Sequence, residues 1–459
     1  VSKFDTMTLN DKGENKKMDF VTGSCEAKDM EFSDLMQAED NSIVKTHGMV
    51  YSIKNMGDFG FLTLRKRDGL VQCVFNKEES HFALEDLGVE MSINVEGKLK
   101  KDERAPGGFE IHLLNAQVLT KPKEAPAINL SKRKLGMSLE TNIAQRPITL
   151  RNNRERAIFK IQEGVIRGFR EYFSKNGFTE INTPKIVASG AEGGANIFKL
   201  DYFGKKAYLA QSPQFYKQML VGVYEKVFEI SHVFRAEKHN TTRHLNEYMG
   251  IDMEMGFINS FVDLMEVETG ALKYTMELLK KEYEREIKIL NVPIPEIDTI
   301  PTVRFKDAKE MIAQEYNRKI KDPYDLEPEE EQLISKLFAE KYNSEFVFVT
   351  HYPVKKRPFY AMDDPENDKF TLSFDLLFRG MEITTGGQRI HDYDIQVAKM
   401  QSKGLNPEDF ESYLMIHKHG MPPHGGWGIG LERLCMKLLD ETNVRVAAMF
   451  PRDMSRLEP

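Results

Sequence analysis

With 459 residues, 41% hydrophobic and 29% charged, the chain is long enough for two or three domains with cores of their own. A formal net charge of −7 excludes a globally basic nucleic-acid binder, so any polyanion partner must be met by local basic patches. Three scattered cysteines, Cys25, Cys73 and Cys435, without CxxC spacing exclude a disulfide framework and a zinc site, and a reducing compartment is expected. No apolar run approaches the roughly 18 residues that cross a bilayer, and residues 1–20 lack the apolar region of a signal peptide. The expectation is a cytoplasmic protein without a membrane partner.

Residues 1–42 are polar and mixed in charge and read as an N-terminal extension. Five short β-like runs follow at 43–53, 59–65, 70–75, 92–99 and 109–119, with Asp68-Gly69 as a hairpin turn between the second and third. Five strands so closely spaced predict a small barrel of the OB type over 43–120. Residues 121–150, with Pro122, Pro126 and several lysines, read as a hinge, and a second domain is expected over 151–459. There Asn152 and Asn153 precede a helix whose Ile158, Ile161, Val165, Phe169 and Tyr172 recur at three- and four-residue steps. Further β-like runs at 206–210, 227–234, 248–257, 346–350 and 381–388 alternate with helices, which predicts an α+β domain with an antiparallel sheet flanked by helices.

Three segments carry chemistry. Gly177 to Lys185, reading GFTEINTPK after the long helix, would by itself be an edge strand, with Pro184 at the edge because it lacks an N–H. Phe234-Arg235-Ala236-Glu237 and Arg243-His244-Leu245-Asn246-Glu247-Tyr248, joined by a polar loop, offer planar guanidinium groups that suit phosphate oxygens. Taken alone, that is equally a solvated hairpin tip. Gly425-Gly426-Trp427-Gly428-Ile429-Gly430 permits close backbone approach to a ligand and places Arg433 in the first turn of a following helix. Its spacing matches neither a Walker loop nor a dinucleotide fingerprint.

In order and content these segments resemble motifs 1, 2 and 3 of the class II aminoacyl-tRNA synthetases. FRAE, RHLNE and DMEM, together with PPHGGWGIGLERL, are similar to the aspartyl-tRNA synthetases of archaeal and eukaryotic type. The stretch between Met255 and Met421 is too short for the extra domain of bacterial relatives. The resemblance implies an OB-fold anticodon-binding domain, a hinge, a class II catalytic domain and a homodimer formed through motif 1.

It further implies ATP and Mg2+ as cofactors and L-aspartate and tRNA(Asp) as substrates. Arg235 would meet the α-phosphate, Arg243 and Arg433 the β and γ phosphates, Tyr248 and Glu237 the adenine, with Gly430 also in the ATP site. Asp375 and Glu382 would hold magnesium through hard oxygen donors. Aspartate would be met by Glu192, Gln214, Lys217, Asp252, Thr385 and Arg389, with Asp252 on the ammonium group and the two cations on the side-chain carboxylate. Catalysis would rest on Arg235 and Arg433 as charge stabilisers. Two departures stand out: Ala191 and Thr385 lie where many relatives have serine or threonine and serine, respectively.

In the barrel the resemblance makes Phe61 a stacking residue for the central anticodon base, with Gln72 and Glu110 reading base edges. Strand alternation alone leaves open that Phe61 packs inside. By the same resemblance the loop 101–108 lies where family members inspect the third base, and Pro106 there offers neither a backbone donor nor a polar side chain. Acceptance of tRNA(Asn) alongside tRNA(Asp) is therefore expected. The alternatives are an asparaginyl-tRNA synthetase, against which Lys217 argues, and a non-catalytic RNA-binding paralogue, against which Arg235, Arg433, Asp375 and Glu382 argue.

Overall fold

The computed structural model describes residues 7–9, 15–17, 30–188, 190, 196–238 and 241–458. They divide into two compact units between Lys132 and Arg133. In the first, strands β1 (Ile43–Asn55), β2 (Phe59–Arg65), β3 (Leu70–Asn76), β4 (Ser92–Lys101) and β5 (Phe109–Thr120) close a barrel in the order β1-β2-β3-β5-β4. Alternation fixes the faces. Leu62, Leu64, Val71 and Cys73 point into the core with Ile93, Leu99 and Ile111, so their neighbours face outward.

Helix α1 (Phe32–Gln37), which sequence reading assigns to the extension, contributes Phe32 and Leu35 to this barrel core. The Phe32 ring leaves no space for a side chain at position 69, where a Cβ would lie 2.3 Å from it. The glycine of the Asp68-Gly69 turn is thus specified by packing against Phe32.

The second unit is built on eight strands: β6 (Thr179–Glu180), β7 (Lys226–Phe234), β8 (Glu247–Gly256), β9 (Thr302–Arg304), β10 (Phe346–Thr350), β11 (Ser373–Phe378), β12 (Met381–Gln388) and β13 (His424–Gly430). Their spatial order is β9-β10-β11-β12-β13-β8-β7-β6. The six central strands are antiparallel as expected, but each edge pair, β9 with β10 and β7 with β6, is parallel, so the sheet is mixed. These edge strands are two and three residues long, below what a periodicity argument can register.

Helices α4 (Asn153–Lys175) and α6 (Val262–Glu282) cover one face of the sheet. The Asn152 side chain caps α4 by accepting from the amides of Arg154 and Glu155. The predicted stripe Ile158, Ile161, Val165 and Phe169 is buried against α6 and the sheet, where Trp427 packs on Phe169 and Phe173 and donates its indole N–H to Leu264 O at 3.1 Å.

Two parts of the sequence expectation change. The glycine run, absent from the expected strands, is the strand β13, paired on both sides in the middle of the sheet. Glycine's low β propensity hides such a strand. Part of the expected hinge is helical, α2 (Leu139–Ala144) and α3 (Arg146–Thr149), and the fully buried Arg146 donates to Met449 O at 2.9 Å, Ala448 O at 3.0 Å and Glu155 Oε2 at 3.2 Å.

Glu268 of α6 is completely buried, and neither carboxyl oxygen has a hydrogen-bond partner among the described residues. Burial pushes its carboxyl up to about 8, against the lowering effect of the nearby Thr384 hydroxyl, and Asp375 adds to the rise. A folded value above the unfolded one means that stability present below the ordinary carboxylate range is lost as pH rises towards 8. Glu268→Gln should leave stability nearly unchanged near pH 4.5 and raise it by a growing margin up to pH 8, on the order of a few kcal/mol. Denaturant unfolding at a series of pH values checks this, and a pH-independent difference would refute it.

Candidate active site

A cleft lies over the centre of the sheet. Among its lining residues are Arg235, Glu237, Arg243, Tyr248, Glu382, Gly430 and Arg433, all expected at ATP. Gln214, Lys217, Asp252, Thr385 and Arg389, expected at the amino acid, line it too. Strand and helix periods explain the convergence. On β8, Tyr248, Gly250 and Asp252 share the cleft face while Ile251 and Met253 enter the core. On helix α5 (Gln214–Tyr224), Gln214, Lys217, Gln218 and Val221 form the buried stripe.

On β12 a bulge is decisive. Leu376 pairs with Thr384 but Leu377 pairs with Glu382, so Ile383 is an extra residue. Glu382 and Thr385 are thereby brought to one side, and the Thr385 hydroxyl donates to Glu382 Oε1 at 3.1 Å.

The deep end of the cleft is a buried charge cluster. Lys217, only 2% exposed, lies 3.0 Å from Asp252 Oδ1 and 3.3 Å from Glu254 Oε2, and it donates to Trp427 O at 3.1 Å. Arg389 donates to Glu254 Oε1 at 2.8 Å, to Glu254 Oε2 at 3.3 Å and to Gly426 O at 2.8 Å. Burial works to raise the Glu254 carboxyl, but Arg389 and then Lys217 outweigh it and hold the group below the usual carboxylate range. Glu254, fully buried, is the residue that sequence reasoning missed. Its signal was the two-residue step from Asp252, which puts both carboxylates on one face of β8.

At the other end the arginines are held by protein oxygens. Arg433 donates to Arg243 O at 3.2 Å and Glu382 O at 3.3 Å. Arg243 reaches Glu331 Oε2 at 2.5 Å, on helix α7 (Pro328–Tyr342), and the same oxygen accepts from the Glu382 amide at 3.1 Å. The Arg235 guanidinium lies 5.8 Å from the centre of the Tyr248 ring. Asn196 donates to Glu237 Oε2 at 3.5 Å.

Asp375 does not line this cleft. It lines an adjoining cavity shared with Glu331, Glu382, Arg243 and Arg433, with Arg357 at 2.8 Å. Burial lifts the Asp375 carboxyl to about 6 and that of Glu331 to about 7, with Glu382 adding repulsion to both. Among the described residues no three ligand-type side chains are arranged as a metal shell. Even so, crowded carboxylates with raised affinity for protons are a donor set that a hard divalent cation fits. Ala191 and Glu192 lie outside the described residues.

On the barrel, Phe61, Gln72 and Glu110 share an outer face of β2, β3 and β5, as the register pairs Thr63 with Gln72 and Gln72 with Glu110 show. Phe61 is half-buried, outside the core, and packs edge-on against Phe59. Gln72 Nε2 donates to Glu110 Oε2 at 3.1 Å, and His112 Nε2 lies 2.8 Å from Glu110 Oε1.

Comparison with known proteins agrees with this architecture. Residues 138–454 match the family model of class II tRNA synthetases (D, K and N), and residues 44–119 match that of the OB-fold nucleic acid binding domain. Aspartate–tRNA(Asp/Asn) ligase of Deinococcus radiodurans is 45% identical over 426 residues, 92% of this chain and 96% of its own. Aspartate–tRNA(Asp) ligase of Pyrococcus abyssi is 40% identical over 433 residues, 93% and 98% of the two chains. Among solved structures, asparaginyl-tRNA synthetase of Pyrococcus horikoshii with asparaginyl-adenylate superposes with a TM-score of 0.84 at 33% identity, covering 92% of this chain and 97% of that one. Aspartyl-tRNA synthetase of Entamoeba histolytica gives 0.83 at 28% identity over 100% and 99%. The chain belongs to the aspartate–tRNA ligase family of class II aminoacyl-tRNA synthetases.

Removing the charge that joins Lys217 and Arg389 tests the deep end. Glu254→Gln leaves two buried cations with Asp252 as the nearest remaining carboxylate, and should cost about 3 kcal/mol of stability near pH 7. Because the folded carboxyl is depressed, that loss should shrink as pH falls through its folded value. Unfolding curves at neutral and acid pH measure both. A variant as stable as the parent at neutral pH would show that the cluster is held otherwise.

Proposed function

We propose that the chain activates L-aspartate with ATP and transfers it to the 3′ end of tRNA(Asp). The observation that carries this reading is the pair of buried cations, Lys217 and Arg389, at the end of a cleft whose other end is lined by Arg235, Arg243 and Arg433. A substrate with two carboxylates needs such a pair for its side chain while its α-carboxylate faces the nucleotide. Asp252, Gln214 and Thr385 are suited to the remaining polar groups of the amino acid, with Asp252 opposite the ammonium. Glu192 is proposed with them on resemblance alone.

In the first step the aspartate α-carboxylate attacks the α-phosphorus of ATP and pyrophosphate leaves. In the second, the terminal ribose hydroxyl attacks the adenylate carbonyl and AMP leaves. No protein nucleophile is needed. Arg235 stabilises charge developing on the α-phosphate, and Arg243 and Arg433 hold the leaving phosphates. Tyr248, Glu237 and Gly430 border the nucleotide. Asp375 and Glu382 would hold Mg2+, which supplies positive charge to the phosphates.

Relatives that act on both tRNA(Asp) and tRNA(Asn) support a relaxed anticodon reading. So does the loop after β4: Arg104 is engaged with Asp102 at 2.7 Å, Ala105 is buried, and Pro106 offers no donor. Phe61 with Gln72 and Glu110 would meet the central base.

A homodimer through motif 1 fits the sheet edge at β6. There the end of α5 carries Val223, 65% exposed, and Tyr224, while the Gly256 amide bonds to Glu225 O and brings Phe257, 68% exposed, alongside. The buried free thiols Cys73 and Cys435 suit a reducing cytoplasm. Among the described residues no helix is long and apolar enough to cross a membrane.

Pyrophosphate exchange into ATP should proceed with aspartate and not with asparagine, and Arg235→Ala should reduce it on the order of a hundredfold or more while the protein stays folded. Equal exchange with asparagine would overturn the substrate. Exchange undiminished in the variant would overturn the role of Arg235.

Charging of tRNA(Asp) and tRNA(Asn) transcripts under equal conditions should differ by less than about tenfold, the equivalent of 1.4 kcal/mol. A stronger preference for tRNA(Asp) would show that the third base is read strictly.

A further inference from the structure

The amide of Gln214 has a direction, and the residues behind it set that direction. His424, at the start of β13, is fully buried, and its Nδ1 lies 2.9 Å from the carbonyl oxygen of Pro422. A carbonyl oxygen only accepts, so Nδ1 carries the proton. Burial lowers the affinity of the imidazole for a second proton to about 4, so at neutral pH Nε2 is a bare acceptor. Gln218 Nε2, 2.9 Å from it, must therefore donate.

With the Gln218 amide turned this way, its Oε1 accepts from Gln214 Nε2 at 3.1 Å and is 3.3 Å from the Tyr413 hydroxyl. Flipping Gln218 would set its oxygen against the His424 lone pair and its NH2 against the NH2 of Gln214. The chain has one consistent polarity, and it uses the Gln214 NH2 inwardly. What Gln214 keeps for the cleft is its amide oxygen, which has no hydrogen-bond partner among the described residues.

We propose that His424 and Gln218 are positioning residues for amino-acid recognition: they hold Gln214 with its amide oxygen towards the cleft, where it accepts from the ammonium group of the substrate. This rests on the reading that the cleft takes L-aspartate. Neither residue touches the substrate. Their effect is to make position 214 an acceptor, so that a ligand lacking the ammonium gains nothing from it.

Aspartate and succinate, which differ by that ammonium, separate orientation from general packing. The readouts are KM for aspartate and for ATP in pyrophosphate exchange and the inhibition constant of succinate against aspartate, all with the full chain. Gln218→Met should raise KM for aspartate on the order of tenfold, as expected for a lost hydrogen bond to a charged group, while leaving the succinate constant and KM for ATP nearly unchanged.

His424→Asn keeps a donor for Pro422 O but withdraws the acceptor from Gln218, and should show the same selective loss. It also serves if Gln218→Met does not fold. Equal weakening of aspartate and succinate, or no weakening of either, in the folded variant would overturn the proposal. If the parent enzyme shows no aspartate-dependent exchange at all, the reading of the cleft falls first and the inference with it.

Discussion

The carboxylate of Glu254 is shared between Arg389 and Lys217 in the middle of the sheet, and much of the site geometry follows from that sharing. Two buried cations that close repel each other and lose several kcal/mol each in hydration, so they persist only with counter-charge and acceptors in place. Glu254 and Asp252 supply the first, and the carbonyls of Met253, Trp427 and Gly426 supply the second. The arrangement depends in turn on a missing side chain. A Cβ at Gly426 would stand 2.1 Å from Met253 O and 2.2 Å from Glu254 Oε2, so the strand beside the carboxylate has to be bare at this point. The glycine-rich strand therefore makes room for a protein side chain.

The opposite end of the cleft uses the same economy with the signs arranged differently. Arg243, Arg433 and Arg357 are each held by oxygens of the protein: a carboxylate of Glu331, two main-chain carbonyls, and the carboxylate of Asp375. Burial raises the carboxyls of Asp375 and Glu331 to about 6 and 7, and the Glu382 carboxylate adds repulsion to each. A guanidinium group already oriented by the protein loses little freedom on pairing with an anion.

Legibility in the sequence followed periodicity and failed where chemistry replaced it. The stripe of α4 and the five barrel strands were readable because apolar residues recur at the helical and strand periods. The central strand β13 was not, since its glycines carry no such pattern and two of them, Gly426 and Gly428, are explained by Glu254 and Asp252 on the neighbouring strand. Lys217 would pass for a surface lysine on an amphipathic helix; its burial depends on carboxylates far away in sequence. Glu331 and Arg146 were invisible for the same reason, each satisfying groups contributed by distant segments. Resemblance named Arg235, Lys217, Arg389 and others that line the cleft, but not Glu254 or Glu331 behind them.

Aiming recurs in the first unit, and the comparison explains why carboxylates are the residues used. Glu110 accepts from Gln72 on one oxygen and faces His112 on the other, as Glu254 accepts from Arg389 while facing Lys217. A carboxylate has two oxygens and about four acceptor positions, so it can fix two donors at once and leave their outer atoms for something else. With its NH2 drawn to Glu110, Gln72 keeps an amide oxygen to offer outward, next to the half-buried ring of Phe61. On the barrel face and in the cleft alike, the acid lies behind the groups it holds, and the hydrogen bond between them fixes the orientation of the Gln72 amide and the Arg389 guanidinium.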